Sequence, residues 1–305
     1  MNAQAYLSLF QERRLPIVVD DPQTGSLLTT LGFSSIPFEV YNLRDEAQAP
    51  VLLLITCMDM LESLRQLWDT SRVPFAHLAL ARFDPSDSSI RYSLAQLLSL
   101  DFHRGLERRA QAYQQLFSSS RVEVTTGAGI CTVHTRDEVE VANPGSTLEP
   151  GRLYSITEFL EASMVNIESD TSSFSVEGQF EFEGLIFLCN NQDQREAFGR
   201  DLDGLLRLAR RGENRVRFSH NRIVELVIGG EERTDFLTGL MGGRERDTSV
   251  TEVGIGCAEY KVRPDFSINS VVNKVTAGVY MGIGMGWQFP HIDLIAPRAV
   301  CQHFQ

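Results

Sequence analysis

The chain has 305 residues, 43% of them hydrophobic, and a net charge of −12 at pH 7, which is enough apolar content for one large core or two domains. The acidic balance argues against nucleic acid and anionic membrane as partners, because both recruit a positive protein face. No apolar run is long enough to span a bilayer, and the amino terminus lacks the basic start and apolar stretch of a signal peptide, so a cytoplasmic location is expected. Cys57, Cys131, Cys189, Cys257 and Cys301 are scattered with no C-x-x-C pair, which excludes a disulfide framework and a structural zinc site and leaves buried or incidental thiols.

Up to residue 118, strand-like and helix-like segments alternate. Strands are expected at Pro16–Val19, Ile36–Leu43, Val51–Ile55 and Phe75–Phe83. Helices are expected at Met58–Trp68, Ser88–Leu100 and Phe102–Phe117, where apolar residues recur at three- and four-residue spacing. The apolar run Val51–Ile55, preceded by Pro50 and followed by a helix, reads as a buried strand of an α/β layer. No glycine-rich phosphate loop joins that strand to its helix, which argues against nucleotide binding of the Rossmann or P-loop kind. His77 lies in an apolar strand-like run and reads as a core histidine. Ser118-Ser-Ser120 reads as a linker.

Beyond the linker the pattern turns to β. Short β-branched or aromatic segments at Val122–Thr126, Ile130–Thr135, Glu138–Val141, Leu153–Ile156, Ser163–Ile167, Phe174–Phe182 and Leu185–Leu188 are separated by Gly, Pro, Asn and Asp. An amphipathic helix at Gln194–Arg211, strands at Arg215–Phe218 and Ile223–Ile228, and a helix over 231–240 follow. Arg207, Arg210 and Arg211 read as a solvated helix face. Cys131 and His134, three apart on one strand, point to opposite faces, so they do not form a nucleophile pair. No Gly-x-Ser-x-Gly elbow is present. The expected fold class is α+β, with a small α/β layer at 1–118 followed by a β-rich domain at 119–305.

The last sixty or so residues carry the most chemistry. Glu252-Val-Gly-Ile-Gly opens them, a glycine-punctuated apolar run ends in Gly282-Ile-Gly-Met-Gly286, and His291-Ile-Asp293 follows. Strand side chains alternate, so His291 and Asp293 face one way and could share a ligand or an ion. With Glu252 they form a donor set suited to zinc, manganese or iron. The alternative is a hydrogen-bonded His–Asp pair with no metal.

From Val122 onward this order of elements resembles the metal-dependent leucyl aminopeptidases typified by aminopeptidase T and aminopeptidase S. The resemblance rests on Arg222-Ile-Val-Glu225, Glu252-Val-Gly-Ile-Gly, the glycine-rich strand and His291-Ile-Asp293. The 2,5-dihydroxypyridine dioxygenases share that body. The resemblance implies an aminopeptidase-like β-rich domain with a two-metal site, built by a Glu in a Pro-x-Gly-Glu turn, a Glu opening an x-Gly-x-Gly strand, a His in a Gly-Thr-x-His strand, and the closing His-x-Asp. Glu252, His291 and Asp293 keep three of these positions. Pro150-Gly151-Arg152 presents arginine where the first Glu belongs, and Gly278-Val279-Tyr280 presents tyrosine in place of histidine. Glu158 is the nearest replacement carboxylate. A guanidinium at ligand distance removes the anionic field that two dications need, so Arg152 is expected to act as a surrogate cation paired with Glu252 or Asp293. The chain ends twelve residues after Asp293, which reads as a truncated hydrolase.

Reduced relatives of this kind occur in the biosynthesis of ribosomally made, modified peptides, and the chain is similar to the proteins of crocagin biosynthesis. The leading expectation is a degenerate hydrolase that binds a precursor or leader peptide, needs no cofactor, and is not an active aminopeptidase. The alternative is an enzyme with a single divalent metal on Glu252, His291 and Asp293, in which Tyr280 is a general acid or substrate donor. A third reading makes the protein a scaffold within a homodimer.

Overall fold

An apolar run without alternation can be covered only by helices on both faces, and this places Val51–Ile55 (β3) in the interior of a parallel sheet. In the computed structural model, which describes residues 1–242 and 245–305, β3 lies between Ile17–Val19 (β1) and Phe75–Ala79 (β4), with Ser35–Pro37 (β2) outside β1. All three pairings are parallel. Helices Ala3–Gln11 (α1), Pro22–Thr30 (α2), Met58–Leu67 (α3), Asp87–Leu98 (α4) and Phe102–Phe117 (α5) accompany this layer. The pattern reading missed α1 and α2, although the Asn2 and Asp21 side chains cap them and Pro22 opens α2.

Two expected strands are shorter than anticipated. Ile36–Leu43 contributes only the short β2, after which Phe38 N–H bonds to Val19 and the chain enters turns. After Ala79 the chain leaves β4 through a 3-10 turn at Leu80–Arg82, which sets Arg82 just past the carboxyl end of that strand.

The remainder builds two antiparallel sheets. Arg121–Thr126 (β5), Gly129–Thr135 (β6), Phe174–Glu181 (β8), Arg215–Ser219 (β10), Arg222–Ile228 (β11), Glu231–Glu232 (β12) and Val300–Phe304 (β16) form one in the order β12-β11-β10-β8-β6-β5-β16. Glu161–Val165 (β7), Gly184–Leu188 (β9), Val250–Gly256 (β13), Gly278–Ile283 (β14) and His291–Ala296 (β15) form the other in the order β7-β13-β14-β15-β9. Glu138–Val141 yields a single bridge, Val141 to Met164, and Leu153–Ile156 runs into a 3-10 turn at Ile156–Leu160. The helix expected over 231–240 begins only at Thr234 (α7, Thr234–Leu240), because β12 uses its first residues. Among the described residues no helix is long and apolar enough to cross a membrane.

The two antiparallel sheets share a core of Val133, Phe174 and Phe180 from one and Met164, Phe187, Met281 and Leu294 from the other, joined by Leu202, Leu205 and Leu206 of Gln192–Ala209 (α6). A second core ties α1, β3 and β4 to Ile156, Phe159 and Val272, and His77 N–H bonds to Tyr154 O at 2.8 Å. The parallel layer is thereby packed against the segments that lead into β7 and β14. Cys131, Cys189 and Cys257 are buried free thiols.

Candidate functional site

Alternation along the five-stranded sheet sorts its residues into two faces. Ala162 and Met164, Val253, Val279 and Met281, and Ile292 and Leu294 point into the shared core. Glu161, Glu252, Tyr280, His291 and Asp293 therefore point the other way. Register then brings them together: Glu252 pairs with Gly282, which pairs with Asp293, while Gly254 pairs with Tyr280. The glycines make this possible. A Cβ on Gly254 would lie 1.9 Å from the Tyr280 ring, and one on Gly282 would lie 2.6 Å from the His291 ring and 2.9 Å from Glu252 Cβ.

Ligand atoms of Glu252, His291 and Asp293 lie within 4.8 Å of one another, so the three expected residues meet. The expected cation does not join them. Arg152 sits on an exposed turn with its side chain 64% accessible, 3.4 Å from Glu149 and stacked near Tyr154. Its place is taken by Lys274, which follows the 3-10 turn Val271–Asn273. Lys274 Nζ lies 3.1 Å from both oxygens of Glu252, 3.7 Å from Glu161 and 3.9 Å from Asp293, and 4.5 Å from the centre of the Tyr280 ring. Glu161 is the second residue the sequence reading overlooked. Glu158, the carboxylate named there, instead caps the 3-10 turn by accepting from Ser155 N–H and from Asn143.

Proton positions follow from the contacts. His291 Nδ1 lies 2.6 Å from the Gly284 carbonyl, which can only accept, so Nδ1 donates. Nε2 lies 3.1 Å from Asp293 and 3.5 Å from Glu252. Both ring nitrogens face acceptors, so the ring is an imidazolium: burial opposes its charge, but Asp293 and Glu252 raise its pKa to about 10. Tyr280 Oη stands 2.8 Å from Glu161 and 2.8 Å from Glu252, yet the phenol has one proton for the two. One carboxyl must supply the other. Burial, partly offset by Lys274 and reinforced by Glu252, raises the Glu161 pKa to about 7, so of the two carboxyls Glu161 is the one that takes up a proton more readily. Glu252 runs the opposite way: burial works against its ionisation, but Lys274 and His291 hold it well below the carboxylate range. The Lys274 ammonium, disfavoured by burial, is held above the usual lysine range by Asp293, Glu161 and Glu252. Two anions, Glu252 and Asp293, thus face two cations, Lys274 and His291.

This arrangement does not fit the metal that the resemblance implies. A ligating imidazole must offer a lone pair, so a dication would have to displace the Nε2 proton that Asp293 and Glu252 hold on His291. Lys274 also lies against both oxygens of Glu252, the carboxylate a dication would need. Two unit charges at that 3.1 Å separation attract by about 5 kcal/mol at an effective dielectric near 20. One atom favours a further ligand, since Asp293 Oδ2 is buried with no hydrogen-bond partner.

A cleft of about 240 Å³ opens above the cluster, lined among others by Arg82, Asn166, Ile167, Asn190, Lys274 and His291. A larger groove of about 850 Å³ lies elsewhere, along Glu183, Arg210, Arg215, Arg263 and Arg298, where none of the cluster residues reaches it. His77, expected in the core, is buried in β4, and burial followed by the charges of Arg82 and Arg65 lowers its pKa to about 3.

Fold and site together define an α+β protein in which a parallel layer closes over a sheet face carrying a neutralised ion-pair cluster. Its overall fold is similar to that of 2,5-dihydroxypyridine dioxygenase from Pseudomonas putida KT2440, with a TM-score of 0.50 and 12% identity over 99% of this chain and 94% of that one. AmpT from Thermus thermophilus was also found, with a TM-score of 0.49 and 10% identity over 99% of this chain and 95% of that one. No curated protein matches the sequence. The family model for the crocagin biosynthetic protein CgnE/B matches residues 12–304, and the chain belongs to that family, which places it in natural-product peptide biosynthesis.

Proposed function

We propose that the protein binds a precursor or leader peptide of its pathway without cleaving it. The observation that carries this reading is Lys274, whose ammonium stands among Glu252, Glu161 and Asp293 where a hydrolytic metal would be held. A two-metal peptidase uses its ions to activate water and clamp the tetrahedral intermediate. Here the carboxylates are committed to internal cations, and Tyr280, the candidate acid, is fully buried and bound to Glu161 and Glu252. The family supports a peptide as partner. The cleft above the cluster offers the surface, with Val165 and Asn166 at the end of β7 on its wall.

Calorimetry with the precursor peptide encoded beside the gene, run with and without chelator, tests the reading together with metal analysis and a chromogenic aminopeptidase assay. Binding at micromolar affinity or better that persists in chelator, with less than one equivalent of metal and no cleavage, is expected. Stoichiometric metal with chelator-sensitive turnover would establish the mononuclear enzyme on Glu252, His291 and Asp293, the outcome that the unpartnered Asp293 Oδ2 favours. Absence of any peptide binding would leave the scaffold reading.

A further inference from the structure

Arg82 is the cation of the cleft with donors to spare. Among the described residues, its guanidinium makes a single hydrogen bond, from Nη2 to Asn190 Oδ1 at 2.5 Å. Its Nε is buried and has no partner. Glu158 and Asp293 attract it electrostatically, but neither comes within ion-pair distance. Asn190 is fixed by donating from Nδ2 to Gly286 O at 2.6 Å, and its Oδ1 also accepts from Arg65 Nη2 at 3.4 Å, so one amide holds two guanidinium groups side by side at the rim. Buried donors are rarely left unpaired, so such a group marks a place a ligand completes. Arg82 stands just past the carboxyl end of β4, an edge strand of the parallel layer.

On the cleft floor Glu252 and Asp293 are paired with Lys274 and His291, so Asp293 acts on Arg82 only from beyond ion-pair distance. Beside the arginines and Asn190 stand exposed apolar side chains. Ile167 is 54% and Trp287 64% exposed. Arg246 holds this lip in place by donating to Asn166 O and Ile167 O and stacking on the Trp287 ring at 5.6 Å.

We propose that Arg82, assisted by Arg65, binds a carboxylate of the peptide ligand, with the neighbouring apolar side chain resting on the lip of Ile167 and Trp287. The proposal rests on the peptide-binding reading and specifies what that cleft recognises. A guanidinium with two free donor positions matches a carboxylate in a forked geometry that an ammonium cannot reproduce. The carboxylate can come from a chain end or from an acidic side chain.

Three probes separate these sources by tryptophan fluorescence titration of the full chain: N-acetyl-leucyl-leucine, its carboxyl amide, and N-acetyl-leucyl-glutamic acid α-amide, which carries only a side-chain carboxylate. The free acid or the glutamate probe is expected to bind at least tenfold more tightly than the amide, and whichever does so names the source. Arg82→Gln and Arg65→Gln should each reduce that preference to less than threefold. Equal binding of all three probes, no binding of any, or a preference untouched by both substitutions would overturn the proposal. If Arg82→Gln does not fold, the acid–amide comparison on the unaltered protein and Arg65→Gln decide it. Precursor binding that is indifferent to carboxylates removes this assignment alone, whereas no precursor binding removes the peptide reading itself.

Discussion

On one face of the five-stranded sheet, Val253, Met281 and Leu294 are held by exclusion of water; one position along the same strands, Glu252, Tyr280 and Asp293 are held by charge and hydrogen bonds. Both faces are buried, but they tolerate change differently. An apolar contact is one of many, so a volume-conserving swap costs little. In the ionic cluster each member neutralises another, and removing one leaves a buried charge exposed to no solvent and no partner. The lesson is that a site whose carboxylates are paired with internal cations is strict about its residues, because the strictness serves electroneutrality.

The largest effect is expected at the centre of the cluster. Lys274→Ala should destabilise the protein by about 3–5 kcal/mol in urea unfolding, since Glu252 and Asp293 then lose a shared cation. Met281→Leu on the opposite face should cost under about 1.5 kcal/mol. Similar costs for the two would show that the faces do not differ in kind.

The next effect depends on pH. His291 has a folded-state pKa near 10, above its ordinary value, so its contribution is complete below about pH 6.5 and is lost as pH rises toward 10. Unfolding free energies from urea titrations across that window should fall with a slope of up to about 1.4 kcal/mol per pH unit that His291→Gln lacks. Parallel profiles for the two proteins would mean that His291 is neutral in the fold.

Arg152→Ala should have the smallest effect, within about 1 kcal/mol, because the pair with Glu149 is exposed to solvent. A loss comparable to that of Lys274→Ala would return Arg152 to the cluster.

What the sequence made legible was whatever alternation controls. His291 and Asp293 could be placed on one face because period two is a local rule and the strand is long enough to obey it, whereas Glu252 was joined to them through the family resemblance. Lys274 was not legible: it lies in the connection between β13 and β14, and no spacing rule states where the tip of a lysine from a loop will rest. Glu161 was missed because a 3-10 turn just before β7 sets which residue begins the strand, and Pro150-Gly151-Arg152 offered a better-looking motif a few residues away. The same limit applies to Ile36–Leu43, whose composition suits a strand but whose neighbours offer pairing only as far as Pro37.

The space opposite Tyr280 has one more consequence. Gly254 has no side chain where the phenol ring lies, and a single methyl group there would overlap the ring at 1.9 Å. The ring carries the hydroxyl that bridges Glu161 and Glu252. Adding one uncharged carbon to β13 would therefore displace the proton donor between two acids, and Gly254→Ala, neutral by every formal count, would behave as a charge mutation.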